Sequence, residues 1–466
     1  MIVSPIWEYI GKTLKPFLKN IVSQFFFYFV VFGIFLGEAW AIEISSSLVQ
    51  IESLQKMNNN IHLKKGVGFV IDKNRILTNL HTVKDSDKIS IKGLGEKKYL
   101  SARIEFSGYD CDLAILKTSD EKFFYGKKKI ETNFNSEIST GLVEIIGIEE
   151  NLLKKYSGQV QGVRFESYGY FGIDFHKIIE TGFEIKEGFS GSPAFIENQF
   201  VGVAFQTSKM KSRIIHRDVV AHFLKDIEDG VYDGFVELGF RFQIRASQNT
   251  KNYFRIPKNQ TGVFITSTVK TSGFEKFLQP KDFLSEIDGV PVSDEGLLNS
   301  RAILEIFEKK YVGDLIKLRY FRNGKSIQKI HKLQKPYIFD FYRDREKVQI
   351  HCNGIELREM GRDTIDLYRE DFASSLAYYY LYRIQDSLEN FSDTKDFVFT
   401  NISTGFKRKE RDEYENGIIE SINSVVPENY HNIEKICKDK KNQFIQIKFI
   451  GINLPMVLKN PNFANP

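Results

Sequence analysis

The chain has 466 residues, of which 42% are hydrophobic and 27% are charged. This composition is ordinary for a folded globular protein, and the length allows about three domains of ~150 residues each. The formal net charge is only +5, and no basic stretch alternates with aromatic residues, so the sequence argues against a nucleic-acid-binding groove. The cysteines Cys111, Cys352 and Cys437 lack a metal-binding spacing, and their odd number argues against a disulfide framework.

Residues 1–41 carry the features of an export signal. Lysines precede an apolar run of about a dozen residues, and Ala39-Trp40-Ala41 then matches an A-x-A cleavage site. The run is shorter than the ~20 residues that span a bilayer comfortably, which favours a cleaved signal peptide and a mature N-terminus at Ile42. An uncleaved membrane anchor is the alternative, because residues 21–24 can lengthen the run. In both cases we expect the rest of the chain to be exported, to the periplasm, with membrane contact only if the segment is retained.

Residues 42–228 are predicted to form one domain that is rich in β-strands. Short apolar runs alternate with Gly, Asn, Asp or charged turns, which is the pattern of many short strands. Such strands with little helix favour paired β-barrels. One helix is predicted over residues 218–227, because its large apolar residues share one helical face. The predicted strands are 67–72, 75–78, 88–91, 114–117, 142–148 and 200–205.

Three segments of this domain carry residues suited to nucleophilic catalysis: TNLHTV with His81, DCDLAILK with Asp112, and EGFSGSPAF with Ser190. A serine hydroxyl needs a neighbouring base, and histidine can both accept and donate a proton near neutral pH. The order His, Asp, Ser is that of chymotrypsin-type proteases. Taken alone, the serine segment is more typical of a plain Ser/Gly/Pro turn between two strands. Asp110 competes with Asp112 for the acidic role, but the apolar strand begins directly after Asp112.

These segments, together with GVGFVI at residues 66–71, resemble the HtrA/Deg family of serine proteases. The resemblance covers nearly everything after residue 60. It implies a mainly β protein with a chymotrypsin-like double β-barrel, then one clear PDZ domain and a diverged second PDZ-like domain. It also implies a homo-oligomer, a trimer or a multiple of it, and a triad of His81, Asp112 and Ser190. No cofactor or metal is expected.

The resemblance assigns further roles around the nucleophile. The amides of Gly188 and Ser190 correspond to the oxyanion hole, and Ile185 to a wall of the primary specificity pocket, which implies apolar side chains at the cleavage position. Two residues depart from the family pattern. Phe189 stands where asparagine is usual, and we expect it to narrow or block a pocket in the resting state. Ser192 stands where a second glycine is usual, and we expect it to restrict how the turn adjusts.

Residues 229–336 are expected to form the first PDZ domain. Leu238-Gly239-Phe240 is similar to the loop that binds a terminal carboxylate in that fold, where a peptide adds to a sheet edge. Lys281 stands where the family usually has glycine. A helix is predicted over 300–308 and a strand over 315–321. Peptide binding here either activates the protease or only tethers substrate, and the sequence leaves both open.

Residues 337–466 are expected to form the diverged second PDZ-like domain. Its strands are predicted near 353–357, 414–423, 444–450 and 455–458, with a helical insertion at 372–381 that separates them. The function expected for the whole chain is an exported endopeptidase of protein quality control. Its partners would be unfolded polypeptides and C-terminal peptides. The alternative is a chaperone or peptide-binding protein with a protease fold and weak or no activity.

Overall fold

The computed structural model describes residues 44–57, 60–132, 140–168, 174–208, 210–269, 272–335, 349–352, 355–359, 397–402, 414, 417–427 and 430–463. The export signal expected at residues 1–41 and the helical insertion expected at 372–381 lie outside these residues. The described chain divides into two units between Tyr232 and Asp233.

The first unit contains two closed six-stranded antiparallel barrels, each built from consecutive strands of the chain. The first barrel has the strand order β1-β2-β3-β6-β5-β4, and the second has β10-β11-β12-β9-β8-β7. This architecture confirms the predicted mainly β fold with a double barrel. The strands of the first barrel are β1 Leu48–Met57, β2 Asn60–Asp72, β3 Arg75–Asn79, β4 Lys88–Gly93, β5 Leu100–Gly108 and β6 Leu113–Thr118.

The second barrel is followed by a helix that packs on its strands. Helix α1, Arg217–Asp226, has the buried residues Val219, Val220 and Phe223 on one face, as its apolar spacing predicts. Phe69 of the first barrel and Phe200 of the second meet with ring centroids 5.6 Å apart, so the barrel cores touch. The strands of the second barrel are β7 Leu142–Glu149, β8 Leu152–Tyr168, β9 Asp174–Thr181, β10 Pro193–Ile196, β11 Gln199–Ser208 and β12 Lys211–His216.

The second unit begins with a sheet that is compatible with a PDZ domain. Its strand order is β13-β14-β15-β19-β20, with β16 paired to β15, and β13 is an edge strand. The predicted helix 300–308 is shorter in the structure, because residues 301–302 pair as a strand before the helix begins. The elements are β13 Phe240–Gln243, α2 Gln248–Tyr253, β14 Val263–Thr268, β15 Phe283–Ile287, β16 Val290–Pro291, β17 Leu297–Leu298, β18 Arg301–Ala302, α3 Ile303–Glu308, β19 Leu315–Arg322 and β20 Lys325–Lys332.

The last part of the chain contains two small three-stranded sheets that share one apolar core with a helix. A disulfide joins Cys352 to Cys437 inside this core, and Cys111 is the free, buried cysteine. The odd cysteine count argued against a disulfide framework, and one pair forms all the same, because an odd count excludes only a complete set of pairs. The elements are β21 Gln349–Cys352, β22 Ile355–Glu359, β23 Phe397–Ile402, β24 Ile419–Ile422, α4 Tyr430–Cys437, β25 Phe444–Phe449 and β26 Met456–Lys459.

Candidate active site

His81 and Asp112 meet at the ends of two paired strands of the first barrel. His81 lies in a short 3-10 turn directly after β3, and Asp112 directly precedes β6, which pairs with β3. The imidazole Nδ1 is 2.6 Å from Asp112 Oδ2, and the His81 amide donates to Asp112 Oδ1 at 2.9 Å. The carboxylate thus fixes the ring through Nδ1, which leaves Nε2 as the nitrogen available for proton transfer.

The backbone of Asp112 is held as firmly as its carboxylate. Its φ is +55°, a conformation that non-glycine residues adopt rarely. Its carbonyl accepts hydrogen bonds from the Leu80 amide at 3.0 Å and from Asn79 Nδ2 at 3.1 Å. The run 79–81 therefore holds Asp112 through four hydrogen bonds, two to its carbonyl and two to its carboxylate. Asn79 is a site residue that the sequence analysis missed, although it stands two residues before the histidine.

Asp110, the competing candidate for the acidic role, is hydrogen-bonded to a tyrosine and not to His81. Its carboxylate is buried and accepts a hydrogen bond from the hydroxyl of Tyr232, at the end of the first unit. Of the two aspartates, Asp112 is the one that is hydrogen-bonded to His81. The geometry therefore agrees with the choice of Asp112 from the start of the apolar strand.

Ser190 lies on a turn that docks against the first barrel. The Val67 amide of β2 donates to the Ser190 carbonyl at 2.8 Å, and the Gly191 amide donates to the Ala204 carbonyl at 2.8 Å. Gly191 has φ +89°, and a Cβ built on it would lie 1.9 Å from the Val67 carbonyl oxygen. Glycine is required here because no side chain fits between the turn and β2.

The hydroxyl of Ser190 is bonded to the backbone of the second barrel. Ser190 Oγ donates to the Phe205 carbonyl at 3.4 Å, and within the described residues it makes no hydrogen bond to His81. Hydrogen bonds between catalytic groups are often long or absent without substrate, so this geometry does not argue against a serine–histidine pair. A rotation about the Cα–Cβ bond of Ser190 would be needed to form that bond.

The turn before Ser190 leaves two amides available. Gly188 has φ +89°, and the Phe189 amide is used inside the turn, where it donates to the Lys186 carbonyl at 3.2 Å. The amides of Gly188 and Ser190 donate to no group in the described part of the chain. Unbonded amides of the nucleophile itself and of a residue just before it are what an oxyanion hole requires.

Phe189 does not lie over the nucleophile. Its side chain is 1% exposed in the core of the second barrel, and its ring meets Tyr156 edge to face with centroids 4.9 Å apart. The expectation that Phe189 narrows or blocks a pocket was wrong, because the turn directs the ring inward. Ile185, the expected pocket wall, is buried in the same core cluster.

Because Gly147 has no side chain, there is space beside it for Phe189 and Ser192, the two residues that depart from the family pattern. A Cβ on Gly147 would lie 2.6 Å from Ser192 Oγ and 2.7 Å from the Phe189 ring. Ser192 is fully buried, and its hydroxyl has no hydrogen-bond partner among the described residues. Gly147 carried no signal in the sequence, since it lies in a strand more than forty residues upstream of Ser190.

The loop that was expected to bind a terminal carboxylate lies at the start of β13. Gly239 has φ +70°, and its carbonyl accepts from the Val269 amide at 2.9 Å. Phe240 is a core residue of the sheet, and Leu238 packs partly against that core. Next to them, burial raises the pKa of Glu237 to about 7. The backbone of this loop therefore lies at an edge strand, where an added peptide strand can pair.

The described residues hold no cluster of His, Cys, Asp and Glu that is suited to a metal ion. Among the same residues, no helix is long and apolar enough to cross a membrane.

The comparisons with known proteins agree with this fold. A family described as "Trypsin-like peptidase domain" matches residues 66–203. Protease Do-like 4, mitochondrial, of Arabidopsis thaliana is 29% identical over 284 residues, which cover 58% of this chain and 54% of that protein. Protease Do-like 2, chloroplastic, of the same organism is 23% identical over 395 residues, or 80% of this chain and 64% of that protein.

A solved variant of the HtrA-type protease AlgW, with a tripeptide, shares the fold. The TM-score is 0.50 at 15% identity, and the match covers 64% of this chain and 97% of that one. The chain spans about half the length of the curated relatives that it matches first, 54% of one and 49% of another. The peptidase-domain match, the Do-like relatives and the double barrel together support an HtrA/Deg-type serine protease.

Proposed function

We propose that the chain is a serine endopeptidase that uses His81, Asp112 and Ser190 as its catalytic triad. The observation that carries this proposal is the hydrogen-bonded pair of His81 and Asp112, beside a serine on a glycine turn that bonds to the same barrel. A buried carboxylate that orients the imidazole is the feature that separates such a site from a chance grouping of polar residues.

In the proposed mechanism, Ser190 Oγ turns from the Phe205 carbonyl toward His81 Nε2. His81 takes the proton as Oγ attacks the scissile carbonyl, and Asp112 stabilises the resulting imidazolium. The amides of Gly188 and Ser190 bind the oxyanion of the tetrahedral intermediate. His81 then donates the proton to the leaving amine. In the second half of the reaction, water gives a proton to His81 and attacks the acyl-enzyme, which releases the acid product and restores Ser190.

The substrates we propose are unfolded or damaged polypeptides, with apolar side chains at the cleavage position. The preference rests on the family position of Ile185. The AlgW variant was solved with a tripeptide and with a decapeptide, which supports peptide binding in the family. For the second unit we propose binding of C-terminal peptides at the Leu238–Phe240 loop. With Phe189 in the barrel core, no residue on the turn supports a closed resting site, so tethering is the simpler role of that loop.

We further propose a homo-oligomer, a trimer or a multiple of it, and a location outside the cytosol. The two Do-like relatives described above are named mitochondrial and chloroplastic, so delivery across a membrane is common to them. The Cys352–Cys437 disulfide supports an oxidising compartment, because cytosolic thiols are kept reduced. Periplasmic delivery through residues 1–41 is one such route.

The test is hydrolysis of unfolded casein by the mature chain and by Ser190→Ala. We expect Ser190→Ala to lose at least a thousandfold in rate, since triad deletions typically cost orders of magnitude. Ser192→Ala is the matched control: it removes a hydroxyl two residues away that has no hydrogen-bond partner among the described residues, and we expect it to retain activity. Equal rates for Ser190→Ala and the wild type would reject the proposal, and an inactive wild type would favour the chaperone alternative.

A further inference from the structure

The last residue of the first unit is fastened to the loop that carries Asp112. Tyr232 is 7% exposed, and its ring packs edge to face against Phe223 of α1, with centroids 5.1 Å apart. Its hydroxyl donates to Asp110 Oδ1 and lies 3.5 Å from Cys111 Sγ. The segment that leaves the first unit is thus held by a buried side chain.

The loop in question connects β5 to β6 and contains Asp110, Cys111 and Asp112. Cys111 is fully buried, and its sulfur also contacts the Gly108 carbonyl at 3.8 Å. Burial and the Asp110 charge raise the pKa of Tyr232 well above its usual value, so its hydroxyl remains a donor at every working pH. Asp110 and Cys111 are therefore tethered within two residues of the candidate catalytic acid.

Asp112 needs such support because its backbone conformation is an uncommon one. At φ +55° its stability depends on the surrounding contacts, which fix it from the histidine side through Asn79 and Leu80. On the other side, the preceding residues are held by Tyr232. A small rotation of this loop would move the Asp112 carboxylate away from Nδ1, and errors of about 1 Å at such sites cost large factors in rate.

We propose that Tyr232 is a positioning residue for the triad, which acts on Asp112 through its hydrogen bond to Asp110. The inference rests on the proposed protease function. It also places the peptide link between the two units at this tyrosine, because the next residue begins the second unit. In this role Tyr232 acts through Asp110 and does not itself bind substrate.

The test is the variant Tyr232→Phe, which keeps the ring on Phe223 and removes only the hydroxyl. We expect kcat to fall about tenfold with KM unchanged, because substrate binding is not touched. Phe223→Leu is the matched control: it loosens the ring packing, keeps the hydroxyl, and should lower the melting temperature without lowering kcat. Unchanged kcat in Tyr232→Phe would overturn the proposal.

A double-mutant cycle shows whether the effect passes through Asp110. Asp110→Ala should lower kcat by a similar factor, and Asp110→Asn should retain more activity because its amide oxygen can still accept from the tyrosine. In the double variant Tyr232→Phe with Asp110→Ala, the losses should not multiply. Multiplying losses would mean that the two residues act independently, which contradicts the proposal.

A readout without turnover separates this inference from the proposed function. The proton between His81 Nδ1 and Asp112 should give a low-field NMR signal, identified by its loss in His81→Ala. In Tyr232→Phe we expect that signal to shift upfield or broaden, and in Phe223→Leu to stay in place. A signal that is identical in Tyr232→Phe and the wild type rejects the positioning role, even if the wild type proves inactive.

Discussion

At the scale of single residues, the turn around Ser190 combines a firm anchor with one unsatisfied group. The anchor is the close approach of Gly191 to the Val67 carbonyl, which no other residue permits. The unsatisfied group is the Ser192 hydroxyl, which is buried beside Phe189 without a hydrogen-bond partner in the described chain. A buried hydroxyl that has lost its water and gained no partner costs about 1–3 kcal/mol.

We therefore predict that Ser192→Ala raises the free energy of unfolding, by about 1 kcal/mol. The methyl group fits in the same space and carries no polar atom to desolvate. Urea unfolding of the variant beside the wild type measures the difference. Ser190→Ala serves as the control, because its hydroxyl is half-buried and weakly bonded, so its unfolding should change little. A loss of 1 kcal/mol or more in Ser192→Ala would mean that the hydroxyl has a partner in solution.

At the scale of elements, the sequence predicted much of the barrel framework and little of its long-range support. Short apolar runs bounded by turn residues predicted β3, β6, β7 and β11, because strand formation is a local pattern. The three-segment motif predicted the meeting of His81 and Asp112. The Tyr232–Asp110 hydrogen bond joins residues 122 positions apart in the sequence, so no local pattern predicts it.

Side-chain direction was the other quantity that the sequence could not supply. Phe189 was expected to narrow or block a pocket, but its ring lies in the core of the second barrel. Gly147 leaves the space that the ring occupies, and it belongs to a different strand. Such matches between distant residues depend on packing in three dimensions, which neither periodicity nor motif spacing reports.

The disulfide is an element-scale feature that joins β21 to α4 across 85 residues of chain. Closing so long a loop in the unfolded state stabilises the folded domain by roughly 2–4 kcal/mol. We predict that the purified chain, denatured without reductant and alkylated, carries one modified cysteine by mass spectrometry, and three after reduction. The single modified residue should be Cys111. Three modified cysteines before reduction would contradict the pairing.

At the scale of the whole molecule, each unit has its own core and its own kind of site. The first unit holds the candidate triad where its two barrels meet, and the second offers an edge strand with a backbone loop suited to a peptide end. Tyr232 is the last residue of the first unit and is bonded next to the triad. We therefore propose that the chemistry takes place in the first unit and that the second unit binds peptide.

Activation of Ser190 by His81 and Asp112 can be measured by covalent labelling. A fluorophosphonate reacts with activated serines, and peptide mass spectrometry identifies the modified residue. We expect modification of Ser190 in the wild type, and a labelling rate lower by roughly a thousandfold in His81→Ala and in Asp112→Asn. Labelling of Ser190 at the wild-type rate in both variants, or no labelling of Ser190 in the wild type, would contradict the account.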